Sequence, residues 1–485
     1  MRDQLDPIEV HETHSGVVFL VGNRAYKLKK PVDLGFLDFT DRAAREAACA
    51  REVELNRRLA PEVYLGVADV VDPDGRPCDH LVVMRRMPSD RAMSHLAVLG
   101  RLPTEAVTGF ADDLAAFHAR QARVARDPSP GGRDALLARW RESFEQTERF
   151  AGSLLDAGDH AELVRLTETY LACRGPLFAD RVGLGRVIDG HGDLLAADVY
   201  CLDEGVRALD CLEFDDTLRT LDGLDDAASL TADLEALGDD ASARAFLDSY
   251  VRAAHDPAPR SLRHHYVSYR AFVRAKVACL RHAQGDPDAA SRARVHLAVA
   301  LRHARAAEVR LVLVGGGPAT GKSTVSAALG KRTGMPVLHS DEVRKTLVGM
   351  PPTAHAPAGY GHGIYTAELT DRTYASLLDR AAVLLTHGHS VVLDATWGAS
   401  HHRAAAHTRA VSCGARVVAL RCWAPEATLS TRLGAPRSHG SDAGTAVAHV
   451  LDRVANPWPQ AHTVTTSGTV ADSLAQAVDL VGDPG

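Results

Sequence analysis

The stretch LVLVGGGPATGKS, residues 311–323, decides the fold of the last third of the chain. Leu311 to Val314 read as a strand buried on both faces, and the glycines that follow end it. Gly316, Gly317, Pro318, Ala319, Thr320, Gly321, Lys322 and Ser323 match G-x-x-x-x-G-K-S. A helical run from Thr324 completes the strand–loop–helix setting that this motif requires. Glycines let successive backbone N–H groups curl around phosphate oxygens, and the helix N-terminus adds the positive end of its dipole. Lys322 is expected to reach the β and γ oxygens and Ser323 to ligate Mg²⁺, so the expected ligands are ATP and magnesium.

Two further strands read outward from this one. Pro336 to Leu338 leads into Ser340 and Asp341, with Arg344 three residues on, and Val391 to Leu393 leads into Asp394, Ala395 and Thr396. In a parallel sheet, ligands collect at the carboxyl ends of the strands, so both aspartates should face the nucleotide cleft. Asp341 is the candidate base for a substrate hydroxyl, with Arg344 and Arg403 on the substrate side. Asp394 is the candidate carboxylate for the magnesium shell. Arg432 and Arg437, beyond a strand at Val417 to Leu420, stand where mobile lid arginines would neutralise a phosphoryl group; a solvated helical face is the competing reading. Trp397 follows the Asp394 motif and reads either as a packing residue or as a wall of the acceptor pocket. Residues 308–485 resemble the small P-loop kinases, a family that includes gluconate and shikimate kinases, polynucleotide kinases and zeta-type toxins. The resemblance rests on GxxxxGKS, on SDxxR at Ser340 to Arg344, and on DAT at Asp394 to Thr396.

Upstream, SGVVFLVGNRAYKLKK at residues 15–30 predicts two strands around a Gly-Asn turn. A helix from Arg42 to Leu59 and apolar runs at Tyr64 to Val71 and Leu81 to Met84 complete an α+β lobe of about 90 residues. From Thr104 the pattern is helical to about Ala306, interrupted between Val187 and Phe214. That interruption carries His191-Gly192-Asp193, then Asp198, then Asp210 at the end of a short apolar run. An H-G-D loop with a polar residue five positions on and an Asp after the next strand is how kinase-like folds build a phosphotransfer site. Asp193 would accept the hydroxyl proton, and Asp198 and Asp210 would hold Mg²⁺. Lys27 would pair the nucleotide phosphates with Glu52 as its ion-pair partner. Lys29, on the same strand face, is the alternative. Arg85 and Arg86 mark a hinge whose backbone would meet adenine.

Residues 10–300 resemble the aminoglycoside phosphotransferase-like family. The supporting residues are His191 to Asp193, Asp210, LAAFHA at Leu114 to Ala119, and Asp222 with Asp226. That pattern expects Asn where this chain has Asp198, which adds negative charge at the metal. The whole chain then resembles bacterial fusions of such a domain with a P-loop kinase domain. The implied fold is an α+β kinase-like bilobal domain at 1–307 (small lobe 1–90, helical lobe 91–307), followed by an α/β P-loop domain at 308–485. The implied activity moves the γ-phosphoryl of Mg·ATP to a hydroxyl of a small molecule. The alternative is a regulatory ATPase whose N-terminal domain senses a ligand.

Composition removes several other classes. The 485 residues are 46% hydrophobic and 24% charged, as in a globular protein. A net charge of -7 argues against a general nucleic-acid or anionic-membrane binder. No apolar run approaches the roughly 18 residues of a membrane span. The polar start is unlike a targeting peptide, and the eight scattered cysteines read as reduced thiols. A cytoplasmic enzyme of open oligomeric state is expected. Only seven lysines stand beside 48 arginines, and Lys27, Lys29 and Lys322 all fall in the segments singled out above. His264-His265, and His401-His402 with His407, lack the carboxylate or cysteine spacing of a zinc site and read as surface histidines.

Overall fold

The computed structural model describes residues 8–12, 16–33, 38–121, 127–351, 362–434 and 455–482. The chain divides into two compact units. One comprises residues 1–163, 178–258 and 265–303, the other 164–177, 259–264 and 304–485. No helix among the described residues is long and apolar enough to cross a membrane.

The first unit opens with five strands: β1 (Glu9–Glu12), β2 (Gly16–Val21), β3 (Arg24–Lys29), β4 (Tyr64–Val71) and β5 (Pro77–Arg85). They form one antiparallel sheet in the order β1-β2-β3-β5-β4. Gly22, at φ 55°, makes the tight β2–β3 turn, a left-handed conformation that glycine adopts without a Cβ penalty. The helix Arg42–Asn56 lies on this sheet and buries Cys49 and Val53 against Val63, Tyr64 and Val82. The helix thus sits in sequence between β3 and β4 and turns Glu52 inward.

The rest of this unit is mostly helical. Trp140, fully buried, stacks on Phe144 and Phe272 and anchors its core. His265 lies tilted against the same indole, so it is a core histidine. Four short strands interrupt the helices: β6 (Val187–Asp189), β7 (Val199–Leu202), β8 (Gly205–Ala208) and β9 (Thr220–Asp222). β6 pairs with β9 and β7 with β8, both antiparallel. The H-G-D loop leaves β6, and Asp210 follows β8.

The second unit holds β10 (Arg310–Gly315), β11 (Val337–His339), β12 (Val391–Asp394), β13 (Arg416–Trp423) and β14 (His462–Thr465). The order is β11-β12-β10-β13-β14, and every pairing is parallel. All six residues of β10 are buried, as the apolar run Leu311–Val314 requires of a central parallel strand. The register sets Val314 beside Asp394 and His339 beside Asp394, so β10, β11 and β12 end together.

Candidate active sites

In the second unit, β10 runs into a loop whose backbone is left-handed at Gly316 (φ 141°), Ala319 (φ 65°) and Gly321 (φ 85°). A Cβ on Gly316 would stand 2.6 Å from Thr320 Oγ1 and 2.9 Å from the Cys422 carbonyl oxygen, so that position admits no side chain. Gly321 caps the helix Lys322–Thr333, whose first amides face the loop. The loop is braced at several points. Thr320 Oγ1 donates to the Gly317 carbonyl at 2.8 Å, next to Pro318, and Thr466 Oγ1 donates to the Thr320 carbonyl at 2.7 Å.

Asp394, 4% exposed, is the electrostatic centre of the site. Burial works to raise its pKa, but the hydrogen bond from His339, the Lys322 charge and the Ser323 hydroxyl outweigh it and hold it ionised. His339 Nδ1 lies 2.8 Å from Asp394 Oδ2, and this bond raises the histidine's own pKa. Asp394 Oδ1 is buried without a well-formed hydrogen bond. An ionised carboxylate oxygen left in that state beside Ser323 and Lys322 fits a hydrated magnesium ion on a nucleotide phosphate.

Asp341 stands half-buried at the start of the helix Ser340–Leu347, 2.6 Å from Lys345 Nζ and 3.3 Å from the Tyr365 hydroxyl. Arg344 is buried; its Nη1 donates to the Ile364 carbonyl at 3.1 Å and to Thr370 Oγ1 at 3.0 Å, and its guanidinium lies over the Tyr365 ring. It therefore fixes the wall beside Asp341.

Arg403 departs from the expectation. Its guanidinium donates to the Trp397 carbonyl at 2.8 Å and the Pro457 carbonyl at 2.8 Å, and stacks on Trp458. It is a strut between two loops, because buried carbonyls take its donors before a substrate can. Trp397 is likewise a packing residue. It is fully buried, its indole N–H donates to the Leu393 carbonyl at 3.3 Å, and it meets Tyr374 edge-on. Arg432 Nη1 donates to the Ala319 carbonyl at 3.2 Å and to Thr466 Oγ1 at 3.3 Å, which places it against the phosphate loop. Arg437 lies outside the described residues.

In the first unit, Lys27 and Lys29 share one face of β3, and both ammonium groups meet the buried Glu52, at 2.9 Å and 2.5 Å. Only Lys27 also reaches Asp210, at 2.6 Å; Lys29 turns to Glu213. Burial raises the Glu52 pKa, but the two lysines win and keep it below the usual range. The strand parity that left Lys29 as an alternative to Lys27 resolves into a shared carboxylate with one lysine facing Asp210.

Asp210 itself is left-handed, φ 62°, a conformation that costs a non-glycine residue about 1–2 kcal/mol. Its amide donates to the Tyr64 hydroxyl at 3.2 Å, and the next amide, Cys211, donates to Asn56 Oδ1 at 2.8 Å. The small-lobe helix thus helps to hold this turn.

The H-G-D loop hangs from one buried carboxylate. Asp226 accepts the His191 amide at 2.7 Å, the Gly192 amide at 2.9 Å and His118 Nε2 at 3.0 Å. His118 also lies 2.8 Å from the Tyr250 hydroxyl, so the LAAFHA helix orients the loop from behind. A Cβ on Gly190 would fall 2.5 Å from Asp226 Oδ2, which explains the glycine there. Arg270 donates to the Gly192 carbonyl at 2.8 Å and pairs with Asp225 at 2.7 Å. Asp222 is structural: it caps the helix Gly223–Ala236 through the Leu224 amide at 2.9 Å and pairs with Arg181.

Asp193, the candidate base, lies 3.4 Å from Arg274. Asp198 is pushed up to about 8 by burial, then by the Asp210 and Asp193 carboxylates. It therefore holds its proton more tightly than an ordinary carboxyl, and in the protonated form it matches in charge the Asn that the resemblance expects. Carboxylates crowded enough to retain a proton are also a donor set that a divalent cation fits. The expected hinge is altered: the Arg85 amide donates to the Val63 carbonyl and the Arg86 amide to Asn23, both at 2.9 Å, so neither N–H is left for adenine.

Sequence reading missed Asp226 as the loop's anchor, His339 as the partner of Asp394, and Arg274 beside Asp193. His339 alone had a local signal, since it ends the strand that delivers Asp341.

The family described as AAA domain matches residues 311–456. A Mycobacterium tuberculosis (strain ATCC 25618 / H37Rv) protein, named as uncharacterized, is 40% identical over 473 residues, covering 98% of this chain and 95% of the relative. A choline/ethanolamine kinase family protein from Mesorhizobium loti is 18% identical, with 63% of this chain and 94% of that one covered and a TM-score of 0.39. A gluconokinase from Sinorhizobium meliloti is 17% identical, with 36% and 90% covered and a TM-score of 0.26.

Proposed function

The chain belongs to one family with the mycobacterial relative, and we propose that it is an ATP-dependent phosphotransferase that moves the γ-phosphoryl of Mg·ATP to a hydroxyl of a small molecule. The observation that carries this reading is the convergence of Lys322, Ser323 and the His339-held Asp394 where β10 and β12 end, with Asp341 beyond the end of β11. Lys322 binds phosphate, Ser323 and Asp394 hold the magnesium shell, and Asp341 accepts the hydroxyl proton. Magnesium would supply charge neutralisation of the phosphates when bound. The first unit forms a second site of the kinase-like type, with Lys27 and Glu52 on the phosphate side, Asp193 as base, and Asp198 and Asp210 as metal residues.

A second reading has a specific observation in its favour. Asp193 stands beside Arg274, and Asp210 beside Lys27, so two of the three candidate carboxylates of this site already have cationic partners. In this reading the first unit senses a ligand, and the P-loop site works as a regulatory ATPase.

One experiment separates them: ADP release from Mg·ATP across sugars, sugar acids, aminoglycosides, amino alcohols and nucleosides, for the wild type, Asp193→Ala, Lys322→Ala and Asp341→Ala. Acceptor-stimulated turnover abolished only by Lys322→Ala leaves the P-loop as the sole kinase site. Separate acceptors lost in the two variants make the chain bifunctional. Turnover that depends on Lys322 but ignores every acceptor and survives Asp341→Ala overturns the phosphotransferase reading.

A further inference from the structure

We propose that Asp371, His401 and His402 form a binding site for a transition-metal ion of the zinc class, separate from the magnesium sites of nucleotide chemistry. Asp371 lies on the helix Ala367–Thr386, and the two histidines are the second and third residues of the helix Ser400–Ser412. Both Nε2 atoms face one oxygen, Asp371 Oδ1, at 3.3 Å from His401 and 2.8 Å from His402. The three ligand atoms all lie within 4.8 Å of one another, and this is the only such group of three among the described residues.

A tetrahedral zinc ion with bonds of about 2.0–2.2 Å sets its donor atoms roughly 3.3–3.6 Å apart, and the separations of 3.3 Å and 2.8 Å between Asp371 Oδ1 and the two imidazoles lie close to that spacing. The donor set also selects the metal. Two imidazoles and one carboxylate suit Zn²⁺, Co²⁺, Ni²⁺ or Cu²⁺, whereas Mg²⁺ and Ca²⁺ favour all-oxygen sites.

An exposed acid near two histidines is common without a metal, but this cluster has a second property. The His402 side chain is 10% exposed and lies flat on Tyr374, with ring centroids 3.8 Å apart and planes 9° from parallel. The ring is therefore oriented before any ion binds, which is what a supported ligand requires. Asp371 and His401 remain exposed, so solvent can supply the fourth ligand. Tyr374 extends the cluster inward: its hydroxyl lies 3.0 Å from Thr396 Oγ1 and accepts the Trp397 amide at 3.1 Å. An ion that clips the two helices would thus stiffen the loop that follows Asp394. The dipeptide showed no partner in sequence because its carboxylate arrives from a helix 30 residues earlier.

The test uses the full chain, stripped with chelator and held in excess magnesium to fill oxygen-only sites. Zinc binding is measured by calorimetry, and Co²⁺ by its visible absorption. The wild type should bind one ion per chain with a tetrahedral cobalt spectrum. Asp371→Asn and His401→Ala should each weaken zinc at least tenfold, while His407→Ala, an exposed neighbour on the same helix, should not. Both informative residues are exposed, so the variants should keep the wild-type circular dichroism and melting profile without metal. Absence of zinc binding, or affinity unchanged in both variants, overturns the site.

Discussion

Replacing Asp226 by Asn tests whether one carboxylate organises the whole H-G-D loop. Three donors converge on its two oxygens: the His191 and Gly192 amides and His118 Nε2. An amide keeps one acceptor oxygen and turns an NH₂ group toward a donor, so at least one buried N–H loses its partner. Breaking a buried charged network of this kind costs about 3–5 kcal/mol. At about 2 °C per kcal/mol for a unit of this size, melting of the first unit should fall by roughly 6–10 °C. Protection of the second unit by ATP should not change, which provides an internal control.

The pH dependence has a definite sign. Burial opposes ionisation of Asp226, but its bond with His118 and the nearby His191 and Arg270 hold its pKa well below the ordinary value. Its contribution is present above about pH 3.9 and is lost as pH falls toward the lowered folded value. The stability gap between wild type and Asp226→Asn should therefore be full at neutral pH and smaller by about 0.7 kcal/mol near pH 3.5. Denaturant titrations across that range measure it. A melting shift below about 2 °C at neutral pH, or a gap that does not narrow in acid, refutes the anchoring argument.

Lys322→Ala should remove the protection that Mg·ATP gives the second unit in thermal melts; protection that survives would place the nucleotide elsewhere. Arg403→Ala should destabilise that unit by about 2–4 kcal/mol, because several carbonyls lose their donor, and should leave the acceptor KM unchanged. A large KM rise at unchanged stability would restore Arg403 to the substrate. Asp198 binds its proton more tightly folded than unfolded, so its effect on stability worsens as pH rises from about 4 toward the folded value of about 8. In chelator, Asp198→Asn should therefore gain on the wild type between pH 5 and 8, and a pH-independent difference in melting temperature would contradict this.

The legible parts of the molecule were those built by neighbours in sequence. The phosphate loop is contiguous, so its strand, glycines, lysine and helix could be placed from LVLVGGGPATGKS, and β10 and the helix Lys322–Thr333 stand there. Asp341 and Asp394 could be placed because a parallel sheet brings strand ends together. Side-chain direction was not legible. Arg403 looked like a substrate ligand because its position follows the Asp394 motif; only the folded loops bring the Trp397 and Pro457 carbonyls to its guanidinium. The Asp226 anchor spans 35 residues to His191, and no periodicity connects a helical Asp to a loop amide. Lys27 stands first with Lys29 as its alternative, since residues two apart on a strand face the same way. Their separation depends on Asp210 and Glu213, which lie 183 and 184 residues downstream.

The same charges explain how the first unit tolerates an Asp where the resemblance expects Asn. Lys27 and Lys29 are held between Glu52, Asp210 and Glu213, and Arg274 stands beside Asp193. Three cations thus face four carboxylates before Asp198 is counted. An ionised Asp198 would add a second excess negative charge in a poorly solvated space, which raises its pKa well above the usual carboxylate range. Deprotonation near neutral pH would be helped by added positive charge, so in the proposed kinase reading a divalent cation and a proton would compete for this carboxyl. Asn cannot take part in that competition, because it has no proton to lose. The substitution therefore leaves the resting charge of the site close to that of an Asn, and in the proposed kinase reading metal binding there would depend on pH.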